Sequence, residues 1–211
     1  MTNQEQPLTD ENYKSILAYE TSMAQIITAR VLEKPELSAW MILFPILFVP
    51  YMQRHSRYKE STKGFVAGFL YTKKIALDVA YKLYKNEISC EEAEGIIAES
   101  VRKNPKAEEL ISNIYHQQIK EIDLLCDHYL ALLATEEDKY DQMVRSHYES
   151  EDNYLSFVIR LAQMEKEVNR AASATFKEDE VEVPRIMNKM ETKLLELRTQ
   201  EAKQIFNRSE R

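Results

Sequence analysis

Residues 61–85 read STKGFVAGFLYTKKIALDVAYKLYK. At 100° per residue, Phe65, Phe69, Ile75, Ala76, Val79 and Leu83 share one face, with Lys74, Asp78, Lys82 and Lys85 opposite. That period predicts an amphipathic helix, because a strand would alternate every second residue. Along one edge small residues recur at every fourth position: Gly64, Gly68, Thr72, Ala76 and Ala80. Two of the three glycines in the chain stand there, where each costs about 1 kcal/mol relative to alanine. Close approach by another helix would offset that cost. The edge is therefore expected to be a helix-packing seam, within one subunit or between two copies in a homodimer.

The neighbouring sequence is helical in the same way. Ser89 and Glu92 have capping-box spacing and start a short helix that runs to about Lys103. Asn104–Pro105 ends it and opens a long helix to about Ala134, on a face that includes Ile111, Ile114, Tyr115, Ile122, Leu125, Cys126, Tyr129, Leu132 and Leu133. Thr135 and Asp138 start a further helix to about Ala174, with a weak point at Ser150–Asn153. Residues 175–184 read as a loop, and a last helix covers Arg185 to Asn207. Upstream, Asp10 to Glu33 carries Tyr13, Ile16, Tyr19, Met23, Ile26, Ile27 and Val31 on one face, with Glu20 in its middle. Composition agrees with helices, since 3 glycines and 6 prolines supply too few turns for a sheet. The expected fold is all-α: an antiparallel bundle of four long helices with three to four shorter helices added. It is expected to form a single domain over 1–211, with a first helix at 10–33, an apolar segment at 37–52, central helices at 61–134 and C-terminal helices at 136–208.

The segment from Leu37 to Met52, LSAWMILFPILFVPYM, has no charged residue and carries Pro45 and Pro50. As one helix it would reach about 24 Å, short of a hydrocarbon core of about 30 Å. The prolines also break a straight helix. A kinked core helix, a shallow membrane anchor and a partner-binding surface all suit such a run. Its downstream flank favours the last two. Residues 53–85 hold eight basic side chains against two acidic ones, in a chain whose net charge is −7. Basic groups beside apolar surface attract anionic headgroups.

Several chemistries are excluded or weakened by residue type. Three glycines cannot build a phosphate-binding loop. No CxxC pair exists for zinc, and Cys90 and Cys126 do not make a disulfide framework. The opening MTNQEQPLTDEN is polar and acidic, unlike a secretory signal. A cytoplasmic location is expected, with the inner face of a membrane as the docking place. Cys126 is expected in the core and His128 at the surface. No histidine has a glutamate three positions before it, so the carboxylate-bridged di-metal motif is absent. His147 and Glu151, four apart on an apolar face, form with Glu20 the one enzyme-like constellation, suited to a divalent metal or to proton handling. Glu165 and Asn169 repeat that spacing. Tyr58, Tyr71, Tyr81 and Tyr84 interleave with Lys59, Lys73, Lys74, Lys82 and Lys85, a pattern that can hold single-stranded nucleic acid. The acidic balance elsewhere opposes that partner.

The functional expectation is a non-enzymatic association protein without a cofactor. Trp40, Phe44, Phe48 and Tyr51, with Arg54, Arg57, Lys59 and Lys63, would dock on an anionic membrane surface or a partner helix. The alternative is a metal-binding helical-bundle protein of the oxidoreductase type, with Glu20, His147 and Glu151 as ligands in the bundle core.

Overall fold

A computed structural model describes residues 5–31, 58–101, 109–174 and 182–207. Among them are seven α-helices and no strand: α1 Glu5–Val31, α2 Tyr58–Tyr84, α3 Cys90–Val101, α4 Glu109–Leu133, α5 Tyr140–Tyr148, α6 Glu151–Ser173 and α7 Glu182–Asn207. The all-α reading holds. Five of these helices, α1, α2, α4, α6 and α7, are 23 to 27 residues long, where four long ones were expected. The segment 37–52 with Trp40, Phe44, Phe48 and Tyr51, together with Arg54, Arg57 and the Asn104–Pro105 signal, lies outside the described residues. Lys59, Lys63 and Gly64 fall in the first two turns of α2.

Local chemistry explains several helix ends. At the end of α2, Asn86 takes a left-handed conformation with φ 55°. Its N–H reaches the Leu83 carbonyl at 3.0 Å, and the Glu87 N–H reaches Lys82 at 2.9 Å. This is the Schellman closure, in which asparagine tolerates positive φ better than most residues. The expected capping box starts α3: Ser89 N–H donates to Glu92 at 2.8 Å, and Glu92 N–H donates back to Ser89 Oγ at 3.2 Å. The expected weak point at Ser150–Asn153 is a full break. Glu149 adopts φ 63°, and Ser150 then caps α6 by accepting from the Asn153 N–H at 3.3 Å. α1 begins five residues before the expected Asp10. Pro7 is tolerated there because first-turn N–H groups have no helical partner. Asn12 then ties that end to the bundle by donating to the Thr135 carbonyl at 3.3 Å.

The long helices neighbour one another in the order α1, α2, α4, α6, α7, and α7 returns to α1. α3 packs against α2 and α4, and Tyr71 of α2 donates to the Ser100 carbonyl at 2.9 Å. α5 touches α1, α4, α6 and α7. Arg145 pins it to α7 through the Ile205 carbonyl, and Tyr140 stacks on Tyr19 of α1 at 3.5 Å between ring centroids. One apolar cluster draws on all seven helices, including Ile16, Leu77, Ile97, Leu125, Met143, Val158 and Ile205. In the small-residue edge, Ala76 and Ala80 are fully buried and Thr72 nearly so, while Gly68 is half-buried. Ile26, expected on the buried face of α1, is 39% exposed. No described helix is long and apolar enough to cross a membrane.

Candidate functional site

Buried charge is the feature that sets this core apart. Lys73 on α2, Glu121 on α4 and Arg198 on α7 are each buried, and Glu165 on α6 meets two of them. Arg198 grips Glu165 with both ends of its guanidinium, at 2.6 and 2.9 Å. Lys73 Nζ donates to the same carboxylate at 3.0 Å and lies 3.7 Å from Glu121. Thr72 donates to Glu121 at 2.9 Å. Phe69 receives the Lys73 ammonium over its ring, 4.3 Å from the centroid. Four helices are thereby joined by ion pairs and hydrogen bonds that salt screens much less than exposed pairs.

The electrostatics follow from burial set against these partners. Burial alone would raise the Glu165 carboxyl, yet Arg198 and then Lys73 outweigh it and hold the group at about 2. Burial opposes the charge on Lys73, but Glu165, Glu121 and Glu20 keep the ammonium above its ordinary range. Glu121 is the exception. Its burial outweighs the attraction of Lys73, so its carboxyl holds a proton more readily than usual.

A second polar layer lies towards α5. Tyr129 donates to Glu20 at 2.7 Å, and Tyr19 donates to Glu201. Burial pushes Glu201 up to about 7, with the Tyr19 hydrogen bond acting the other way. His128 Nδ1 lies 2.8 Å from the Tyr148 hydroxyl, and its ring stacks on Phe157 at 4.1 Å. The expectation of a surface His128 is therefore corrected: the ring is 4% exposed. Burial, then electrostatic repulsion from the neighbouring His147 and Arg198, lowers it to about 3. Lys73, counted in the basic segment 53–85, is likewise buried, at 3% exposure.

The expected metal constellation is not brought together. Glu20 is buried against Tyr129, while His147 is exposed and packs edge-on against Tyr148. Glu151 sits half-buried in the first turn of α6. Among the described residues no three His, Cys, Asp or Glu side chains are grouped as metal ligands. The physical reason is the break at Glu149. His147 lies in the last turn of α5 and Glu151 begins α6, so their spacing of four does not span one turn of one helix. Asn169, the other half of the repeated spacing, donates to Glu191 of α7 at 3.0 Å.

Beside the charge network a cleft of about 390 Å³ opens between α2, α4, α6 and α7. Lys73, Glu121 and Glu165 form part of its wall, and Val168 and Leu194 add apolar surface. Ile159 and Leu195 also line it. Gln118 lines it too. That residue is fully buried, and neither its Nε2 nor its Oε1 has a hydrogen-bond partner. A second opening lies between α1 and α2, where Tyr13 donates to Asp78 at 2.5 Å and Tyr81 donates to Asp10.

Gln118, Glu121 and Arg198 were passed over in the sequence, although a signal was present. Gln118 lies four residues from both Ile114 and Ile122, and Glu121 four before Leu125. Arg198 lies four residues from both Leu194 and Ala202. Polar side chains at these spacings interrupt an apolar face and mark buried positions. No protein-family model matches this chain, and neither the curated proteins nor the solved structures contain a significant match to it.

Proposed function

We propose that this chain is a non-enzymatic binding protein that takes up one small, largely apolar molecule in the cleft between α2, α4, α6 and α7. The observation that carries the reading is the rim. Ile159 and Leu195 are 58% and 38% exposed, two of the three large apolar side chains left exposed among the described residues, and both line this cleft. Covering such a side chain contributes about 1.5–3 kcal/mol. The cleft volume falls within the range of about 300–1,000 Å³ usual for small-molecule sites. The charge network supports the reading as well. By tying α2, α6 and α7 through Glu165, it holds the walls in place before a ligand arrives, which lowers the ordering cost of binding.

N-phenyl-1-naphthylamine, a neutral apolar fluorophore, is expected to bind the full chain with one molecule per subunit. The double variant Ile159→Asp/Leu195→Asp should weaken that binding by about tenfold or more. Its thermal midpoint should change little, since both positions are exposed. A dye signal that never saturates, or equal binding by the double variant, would overturn the reading.

A second reading is association through the uncharged segment Leu37–Met52 and the basic side chains from Arg54 to Lys63. The support is their adjacency in the sequence, apolar surface beside cationic groups. The full chain is then expected to co-sediment with vesicles containing phosphatidylserine, less so as salt rises. Phe44→Asp/Phe48→Asp should abolish that co-sedimentation while helicity by circular dichroism stays unchanged. Equal sedimentation of both proteins would remove this reading.

A further inference from the structure

We infer that the molecule taken up by the cleft is neutral and carries an amide-type edge, an N–H donor beside a C=O acceptor, which pairs with the side-chain amide of Gln118. The inference rests on the proposed uptake of a small apolar molecule and adds the chemistry of its polar end.

Gln118 sits where the helical pattern of α4 calls for an apolar side chain, one turn from Ile114 and one from Ile122. Its exposure is 0%, and both of its polar atoms lack a partner. A buried amide in that condition destabilises the fold, because it has given up water without gaining a hydrogen bond. Methionine or leucine would fill the same volume without that cost. A glutamine at this position is therefore accounted for by a partner that is not part of the chain. Gln118 borders the cleft, and binding of this kind requires its side chain to turn towards the opening.

The carboxamide dictates what that partner must be. It offers a carbonyl acceptor and an N–H donor on one edge. A lactam or a primary amide presents the complementary pair and satisfies both atoms at once. An ionised carboxylate only accepts, and an ammonium only donates, so either would leave one Gln118 atom unpaired. The charges around the cleft point the same way. Lys73 is engaged by Glu165 and Glu121, and Glu191 accepts from Asn169. A charged head would have to compete with pairs already made, whereas a neutral edge leaves them intact.

The test uses four probes on the full chain: 2-quinolone, N-methyl-2-quinolone, naphthalene and benzoate, with dissociation constants from fluorescence or ligand-observed NMR. 2-Quinolone carries the lactam edge, its N-methyl derivative lacks the donor, naphthalene lacks both groups, and benzoate is anionic. 2-Quinolone is expected to bind about tenfold or more tightly than each of the others. In Gln118→Met the preference for 2-quinolone over its N-methyl derivative should fall to within twofold, and the ligand-free protein should melt at a higher temperature. Equal binding of 2-quinolone, N-methyl-2-quinolone and naphthalene would overturn the amide-edge assignment and leave the apolar cleft standing. Tightest binding by benzoate would also overturn it. Failure of every probe to bind would overturn the cleft reading itself. A Gln118→Met protein that melts lower and keeps the full preference would show Gln118 to be a packing residue, contrary to the proposal. If that variant does not fold, the probe series on the unaltered chain still decides.

Discussion

Replacing Glu165 by glutamine is expected to destabilise the protein by about 3–5 kcal/mol, measured by urea unfolding at pH 7. The reason lies in what is left behind. Glu165 accepts two hydrogen bonds from Arg198 and one from Lys73. Both cations are buried, at 4% and 3% exposure, and neither can return to water without opening the bundle. Glutamine keeps the shape of glutamate but brings an NH2 group against guanidinium and ammonium donors. Glu121 is a poor substitute as counter-ion, because burial favours its protonated form. The loss should therefore exceed the roughly 0–1 kcal/mol typical of an exposed ion pair. A companion variant separates stranded charge from lost attraction. Lys73→Met/Glu165→Leu/Arg198→Met removes both cations and the carboxylate they share, leaving Glu121, whose burial favours its protonated form, and should restore most of the stability, since apolar replacement of buried ion pairs is often neutral or better. A Glu165→Gln protein within about 1 kcal/mol of the original would mean the network contributes no more than surface pairs do.

Stability is expected to hold nearly level between pH 6.5 and 4.5 and then to fall steeply, by about 4 kcal/mol between pH 4.5 and 3. His128 has a pKa of about 3 in the fold against 6.5 unfolded. Between those values the unfolded chain binds a proton that the native state does not, so stability declines as pH falls. Glu165, at about 2 against 4.5, acts in the same direction below pH 4.5. Glu201 has the opposite sign. With a folded value of about 7 against 4.5, the native state holds the extra proton, and stability declines as pH rises through that window. His128 and Glu201 therefore largely cancel between 4.5 and 6.5, with Glu121, its carboxyl also raised by burial, adding to the Glu201 side. Below 4.5, His128 and Glu165 add to two protons, each worth about 1.4 kcal/mol per pH unit. Urea midpoints over a pH series test this, and His128→Leu should halve the acid slope. A profile that stays level down to pH 3 would count against the buried charge assignments.

Much of the fold was legible because its signals are local. The helical face that holds Ala76 and Val79, the Ser89–Glu92 box and the weak point near Ser150 all act within a few residues, and each appears in the structure. The break at Glu149 shows where local reading stopped short. A spacing of four between His147 and Glu151 suggested one helical face, yet a single left-handed residue separates them into two helices. The burial of His128 and Lys73 was missed for a related reason. Both are polar residues whose partners, Tyr148 and Glu165, lie 20 and 92 positions away. Nothing in the neighbouring sequence announces such partners.

By itself, the order of side chains determined the helical class and several of the places where helices start and stop. Periodicity, caps and prolines act over a turn or two of backbone, so they are written in consecutive residues. Only the tertiary structure decided that Lys73, Glu121, Glu165 and Arg198 meet, and that Gln118 is buried unpaired beside an open cleft. Those outcomes depend on how each helix is rotated against its neighbours. Packing of whole faces sets that rotation, so a polar side chain on an apolar face can mark a buried position but cannot name the partner it meets there.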